Sequence, residues 1–324
     1  MRTPVKLGGY ALALAAVFTA ALGLGHATGS PPAAKPTAAD SHNQHSTPTA
    51  EGSTTGAASP AGLQITQDGY RLSPITADLT VGDHAQPFQF RLTGPDGAPV
   101  THYTTSHDKD LHLIVVRRDL SGFQHLHPSM AADGTWSVPL AVAAAGQYRV
   151  FADFQPAGRD QSLTLGVDMP APGDYRPVPL PSAARTANVD GYRVGLHGDL
   201  LAGGSSQLTL SISKDGTPVT DLQPYLGAYG HLVALRDGDL AYLHVHPDGT
   251  PGDGRTRPGP EIVFHADVPT AGSYRLYLDF QHGGRVHTAE FTATAGPAAS
   301  VPTPPSPTQP SPSPSSGHGE HTHG

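Results

Sequence analysis

Six histidines stand in two matching triplets. His112, His125 and His127 recur 119 positions later as His231, His244 and His246. The first triplet lies in DLHLIVVRRDLSGFQHLHP and the second in GHLVALRDGDLAYLHVHP. Imidazole is the commonest side-chain ligand for borderline metals, so the chemistry to weigh first is binding of Cu(II) or Zn(II). Two carboxylates repeat alongside: Asp153 in AGQYRVFADFQ and Asp279 in AGSYRLYLDFQ. Either can act as a fourth ligand, or hold an imidazole from behind and fix its tautomer.

Such use needs strands that bring the rings together. Leu111 to Pro128 reads as a hairpin turning near Asp119 to Gly122. Pairing Arg118 with Phe123 sets Ile114 opposite His127, and the alternation of a strand puts His112, His125 and His127 on one face. Diagonal neighbours on a sheet are about 7–8 Å apart at the backbone, which lets two imidazoles converge on one ion. The second copy has the same spacing, so each repeat is expected to carry its own site. A plainer use exists for the same residues. Rings in apolar strands serve as packing groups when one nitrogen reaches a backbone carbonyl.

The other histidines divide by context. His102 and His107 fall in the polar segment THYTTSHDKD, where the second copy has Asp221 and Leu226; they could enlarge the first site alone, but read more readily as a solvated loop. His265, His282 and His287 are peculiar to the second copy, and His84 and His197 read as surface residues. The terminal GHGEHTHG carries His318, His321 and His323, a loose capture arm for metal in a tail that cannot fold. Arg117, Arg118 and Arg149 read as exposed sheet charges, and Trp136 as a residue at a sheet edge or core margin.

Composition narrows the alternatives. The 324-residue chain has no cysteine, which excludes disulfides, thiolate metal sites and cysteine nucleophiles, and three methionines do not make a soft Cu(I) site. A formal charge of −8 without a basic run argues against nucleic acid. Nucleophile elbow, phosphate-binding glycine loop, HExxH helix and dinucleotide fingerprint are all missing, so no enzyme is expected.

The elements surrounding the histidines belong to a duplication. Asp68-Gly69-Tyr70-Arg71 returns as Asp190-Gly191-Tyr192-Arg193, and AGQYRVFADFQ returns 126 positions on, so the second copy has gained seven residues, best placed at Gly249 to Pro260. Short alternating or β-branched runs separated by Gly, Pro and Asp predict an all-β chain. The Ala-Gly-x-Tyr step before a strand resembles the tyrosine corner of immunoglobulin-like sandwiches. The expected order is a signal peptide or N-terminal membrane anchor (1–27), a disordered linker (28–61), sandwich repeat 1 (62–170), a Pro-rich connector (171–185), sandwich repeat 2 (186–296) and a disordered Pro/Ser/His tail (297–324). Arg2 and Lys6 ahead of the 19 uncharged residues Leu7 to Gly25 carry the first of these assignments. Cleaved or retained, that segment places the chain outside the cytoplasm, secreted or tethered to the membrane.

The stretches GYALALAAVFTAALGLGHATG, LHLIVVRRDLSGFQHLHP and AGQYRVFADF resemble exported actinobacterial proteins with tandem immunoglobulin-like domains, and more loosely the YtkA-like family. The resemblance implies a surface-associated sandwich protein with a role in heavy-metal handling. It assigns no ligands. Two functions follow: a surface binding protein for Cu(II) or Zn(II), or a non-enzymatic module contacting other envelope proteins, with packing histidines.

Overall fold

The computed structural model describes residues 60–243 and 245–297. The expected signal or anchor, residues 28–59 of the linker, His244, and residues 298–324 with His318, His321 and His323 lie outside the described residues. Among the described residues every regular element is a β-strand.

The first repeat supplies β1 (Thr66–Gln67), β2 (Tyr70–Pro74), β3 (Gln86–Thr93), β4 (Leu111–Arg117), β5 (Gln124–Leu126), β6 (Ser129–Met130), β7 (Thr135–Leu140), β8 (Gly146–Phe154) and β9 (Leu163–Ala171). They form two facing sheets, β1-β2-β3-β7-β6 and β5-β4-β8-β9. The second repeat supplies β10 (Thr186–Val189), β11 (Tyr192–His197), β12 (Leu200–Leu201), β13 (Gly204–Lys214), β14 (Thr217–Pro218), β15 (Gly230–Arg236), β16 (Tyr242–Leu243), β17 (Val245–Pro247), β18 (Glu261–Val268), β19 (Gly272–His282) and β20 (Arg285–Gly296). Its sheets run β10-β11-β13-β18-β17, with β14 on β13, and β12-β20-β19-β15-β16. Each repeat is therefore an immunoglobulin-like sandwich, and the chain is a tandem duplicate of one.

Alternation explains most of these strands. In β3, Phe88, Phe90 and Leu92 enter the core while Gln89 and Arg91 stay half-buried. Tyr148, Val150, Ala152 and Phe154 face the same core from β8, and Tyr274, Leu276, Leu278 and Phe280 do so in the second repeat. The tyrosine corners form as the motif predicts: Tyr148 Oη donates to the Ala144 carbonyl and Tyr274 Oη to that of Thr270, each at 2.8 Å. Asp215 and Gly216, both at positive φ, make the tight turn between β13 and β14.

Strand β4 is different, being buried along its whole length. Leu111, Leu113 and Val115 fill the core of their own repeat. Ile114 and Val116 point the other way, into a third apolar cluster with Leu120, Phe151, Val233, Leu235, Leu240 and Tyr277. That cluster draws on both repeats, and its members are counterparts in the duplication: Ile114 and Val233, Val116 and Leu235, Phe151 and Tyr277. Phe123 stacks on Tyr277 with centroids 4.0 Å apart, and the reciprocal pair, Phe151 with Tyr242, lies at 5.6 Å. The Tyr277 hydroxyl donates to the Leu120 carbonyl at 2.6 Å. The equivalent sheets of the two sandwiches thus pack face to face, which is why the run LHLIVVR has no polar side.

Three expectations are corrected. Trp136 is a core residue, stacked on Phe90 and donating its indole N–H to Tyr103 Oη at 3.2 Å. Arg117 and Arg149 are buried: Arg117 pairs with Asp119 at 2.7 Å and donates to the Ala145 carbonyl, while Arg149 reaches the Gly62 carbonyl and Asp168. Both lie under the connecting segments, so their charge is met by a carboxylate and backbone oxygens instead of water. The β4–β5 hairpin is also tighter than expected, with Ile114 opposite His125. Leu120 at φ +64 turns the chain early, and the Arg117 N–H donates to the Ser121 carbonyl. A slip of two residues preserves the face on which each histidine lies.

Candidate metal centre

His112 leaves β4 on the face that meets the second repeat, and β5 with the residues after it brings His125 and His127 to the same place. The three offer nitrogens that all lie within 4.8 Å of one another. Ring centroids are 5.3 Å apart for His112 and His125, 5.1 Å for His112 and His127, and 4.7 Å for His125 and His127. With metal–nitrogen bonds of about 2.05 Å, two imidazoles on one tetrahedral ion have centroids about 5 Å apart. The triad has that spacing.

The hydrogen bonds fix what the facing nitrogens carry. His112 Nε2 lies 3.0 Å from the Ser106 carbonyl, which only accepts, so the proton is on Nε2 and Nδ1 holds a lone pair. His125 Nδ1 lies 2.9 Å from Asp279 Oδ2, and Asp279 Oδ1 accepts from Thr288 Oγ1 at 2.6 Å. With Asp279 as carboxylate, His125 donates from Nδ1 and its Nε2 is directed at His112 Nδ1, 3.1 Å away. Two lone pairs at that distance need a positive centre between them: the proton of an imidazolium or a metal ion. Tetrahedral coordination calls for an N···N edge of about 3.3 Å, an adjustment of a few tenths of an ångström. His127 Nε2 is buried with no hydrogen-bond partner. The donor set therefore fits Cu(II) or Zn(II), with Asp279 in the ring-orienting role common behind metal-bound imidazoles.

Electrostatics keep the rings in the ligating form. Burial lowers the pKa of His112 to about 3, against the raising effect of its bond to Ser106, and neighbouring imidazoles push it further down. His127 is also lowered to about 3, by burial and then by His125 and His112. His231 is lowered to about 4 by burial. Asp153, half-buried, is raised to about 6 by loss of solvation, and accepts from Thr164 Oγ1 at 3.2 Å.

The candidate residues do not separate by repeat. His231 donates from Nε2 to the Tyr225 carbonyl at 2.8 Å, the counterpart of His112 on Ser106, and its ring is 6.0 Å from His125 and 6.4 Å from His112. Asp279, from the second repeat, holds a ring of the first. His246 lies on β17 opposite His265 on β18. A cleft of about 640 Å³ is lined by His107, His112, His125, His231, His246 and Asp153. His107, which the sequence favoured as a solvated loop residue over an addition to the first site, has its ring 5.1 Å from His231 and 6.2 Å from His112. The remaining second-copy histidines stand apart, His282 on Tyr192 and Asp221 and His287 on Asp190.

Fold and site together define a tandem immunoglobulin-like protein with histidines gathered at the seam between its repeats. The chain belongs to the family described as a domain of unknown function (DUF8832), whose pattern matches residues 65–171 and again 187–296. No curated protein matches it. Among solved structures, it is similar to invasin, a bacterial integrin-binding protein, at 14% identity and a TM-score of 0.20, over 69% of this chain and 39% of that one. Domains 4 and 5 of the S-layer protein SbsC match at 12% identity and 0.19, over 73% of this chain and 100% of that one. InvD of Yersinia pseudotuberculosis matches at 14% and 0.23, over 75% of this chain and 62% of that one. The chain spans about two-fifths of the invasin structure, and scores of this size bear on neither ligand nor partner.

Proposed function

We propose that this protein is an exported, surface-held binding protein for Cu(II) or Zn(II), acting in buffering, sensing or delivery and not in turnover. The observation that carries this reading is the convergence of three imidazoles: His112 Nδ1 and His125 Nε2 at 3.1 Å, Asp279 behind the second, and a nitrogen of His127 within 4.8 Å of both. His112, His125 and His127 are the ligands, and Asp279 orients. Export rests on the basic, then apolar, N-terminal residues. The test is titration calorimetry of the full chain carrying His318→Ala, His321→Ala and His323→Ala, so that the tail contributes nothing. Saturable binding lost with His125→Ala and His127→Ala is expected; binding unchanged by them removes the site.

A second reading is an envelope interaction module. It is favoured by the carbonyl bonds of His112 and His231, the arrangement of packing histidines. Under it, substitutions at these rings lower the melting temperature and added metal changes nothing.

A further inference from the structure

The imidazoles at the seam fall into two groups by distance. The triad has centroids 4.7–5.3 Å apart. His107 and His231 form a second pair at 5.1 Å, a separation that two rings on one ion adopt, whereas His231 is 6.0 Å from His125 and 6.4 Å from His112, and His107 is 6.2 Å from His112. One ion does not satisfy both sets. His231 spends Nε2 on the Tyr225 carbonyl, which leaves Nδ1 as a lone pair, just as Ser106 leaves that of His112.

His107 is not required by the turn it occupies. The Ser106–Lys109 turn is closed by reciprocal backbone bonds with His107 and Asp108 at φ +50 and +58, and the second repeat makes the same turn with Leu226 and Gly227. An imidazole there is an addition to the fold. His107 and His246 line the same second opening at the seam, and His246 is close enough to act electrostatically on both His107 and Asp153. Asp153 supplies a half-buried carboxylate that forms no ion pair with Lys or Arg among the described residues, a counter-charge suited to a second cation.

We propose that His107 and His231 anchor a second seat for Cu(II) or Zn(II), which the exposed His246 of β17 closes as the ion binds, so that the seam between the repeats holds two ions. This rests on the triad being a metal site, since the pair borders it. One ion is held by the first repeat and oriented by the second. The other is held mainly by the second and completed by His107 of the first.

The experiment uses the full chain with the three tail histidines replaced by alanine, titrated with Cu(II) and followed by calorimetry and electron paramagnetic resonance. Two tight equivalents are expected, with a half-field resonance from the coupled pair. His107→Asn, which keeps an amino acid at ease with positive φ, combined with His246→Ala should abolish the half-field signal and leave one equivalent. His125→Ala with His127→Ala should also leave one, with a different hyperfine pattern. A single equivalent that depends on the triad and ignores His107 overturns the second seat and leaves the first standing. No saturable binding overturns both.

Discussion

Acid should loosen the metal-free protein well above the usual carboxylate range, and the size of the effect follows from the seam. His112 and His231 are buried neutral rings whose pKa values drop to about 3 and about 4. In the unfolded chain each returns to about 6.5. A group with a depressed folded pKa stabilises fully above its unfolded value, and the contribution is lost as pH falls below it. Between pH 7 and pH 5 each unfolded ring takes up about three-quarters of a proton and each folded ring almost none, which costs about 2 kcal/mol per ring. Asp153 acts in the opposite sense. Raised to about 6, it binds its proton more readily in the folded state, which returns about 1 kcal/mol over the same interval. The net loss is about 3 kcal/mol, and His127 adds in the same direction. Urea unfolding of the full chain in chelator at pH 7, 6 and 5 reads this directly. The pair His112→Gln and His231→Gln preserves an N–H for each carbonyl and removes the titration, so most of the slope should vanish. A flat profile in the parent, or an undiminished slope in the double variant, refutes the assignment of neutral rings to the seam.

Other outcomes are equally specific. Asp279→Asn should weaken Zn(II) binding roughly 10–100-fold in calorimetry, because the ring it orients belongs to the triad. Tyr277→Phe strips the donor from the buried Leu120 carbonyl and should cost about 1–3 kcal/mol in chemical unfolding. Gly166→Ala would place a methyl 2.0 Å from the Gly62 carbonyl oxygen and 2.8 Å from the Arg149 guanidinium, and should lower the melting temperature by forcing the Gly62 segment off β9. Tyr148→Phe and Tyr274→Phe should each cost about 1 kcal/mol, and by similar amounts, since the two corners have one geometry.

The longer strands, the inward faces of β8 and β19 and both tyrosine corners were readable from the sequence because alternation and turn chemistry are local. The convergence of His112, His125 and His127 followed from the same parity, and survived a hairpin register two residues off. What depended on the meeting of the repeats was not readable. The expectation of one centre per repeat gave no hint that Asp279 would serve His125 or that His107 would lie on His231. One local sign was present: LHLIVVR is apolar on both sides, and a strand with two buried faces implies a second layer against it. Arg117 and Arg149 misled because charge alone does not reveal a chain segment folded over it.

Tandem copies on a single polypeptide remove a restriction that binds true homodimers. Where two identical subunits meet about an axis, any side chain added to one rim is added to the other. Here the halves are free to differ, and they do: the turn that offers an imidazole on one flank offers leucine on the other. The joint stays closed at any dilution, because the connector sets the local concentration of its partner half. A lopsided arrangement of imidazoles can therefore arise from an evenly built scaffold.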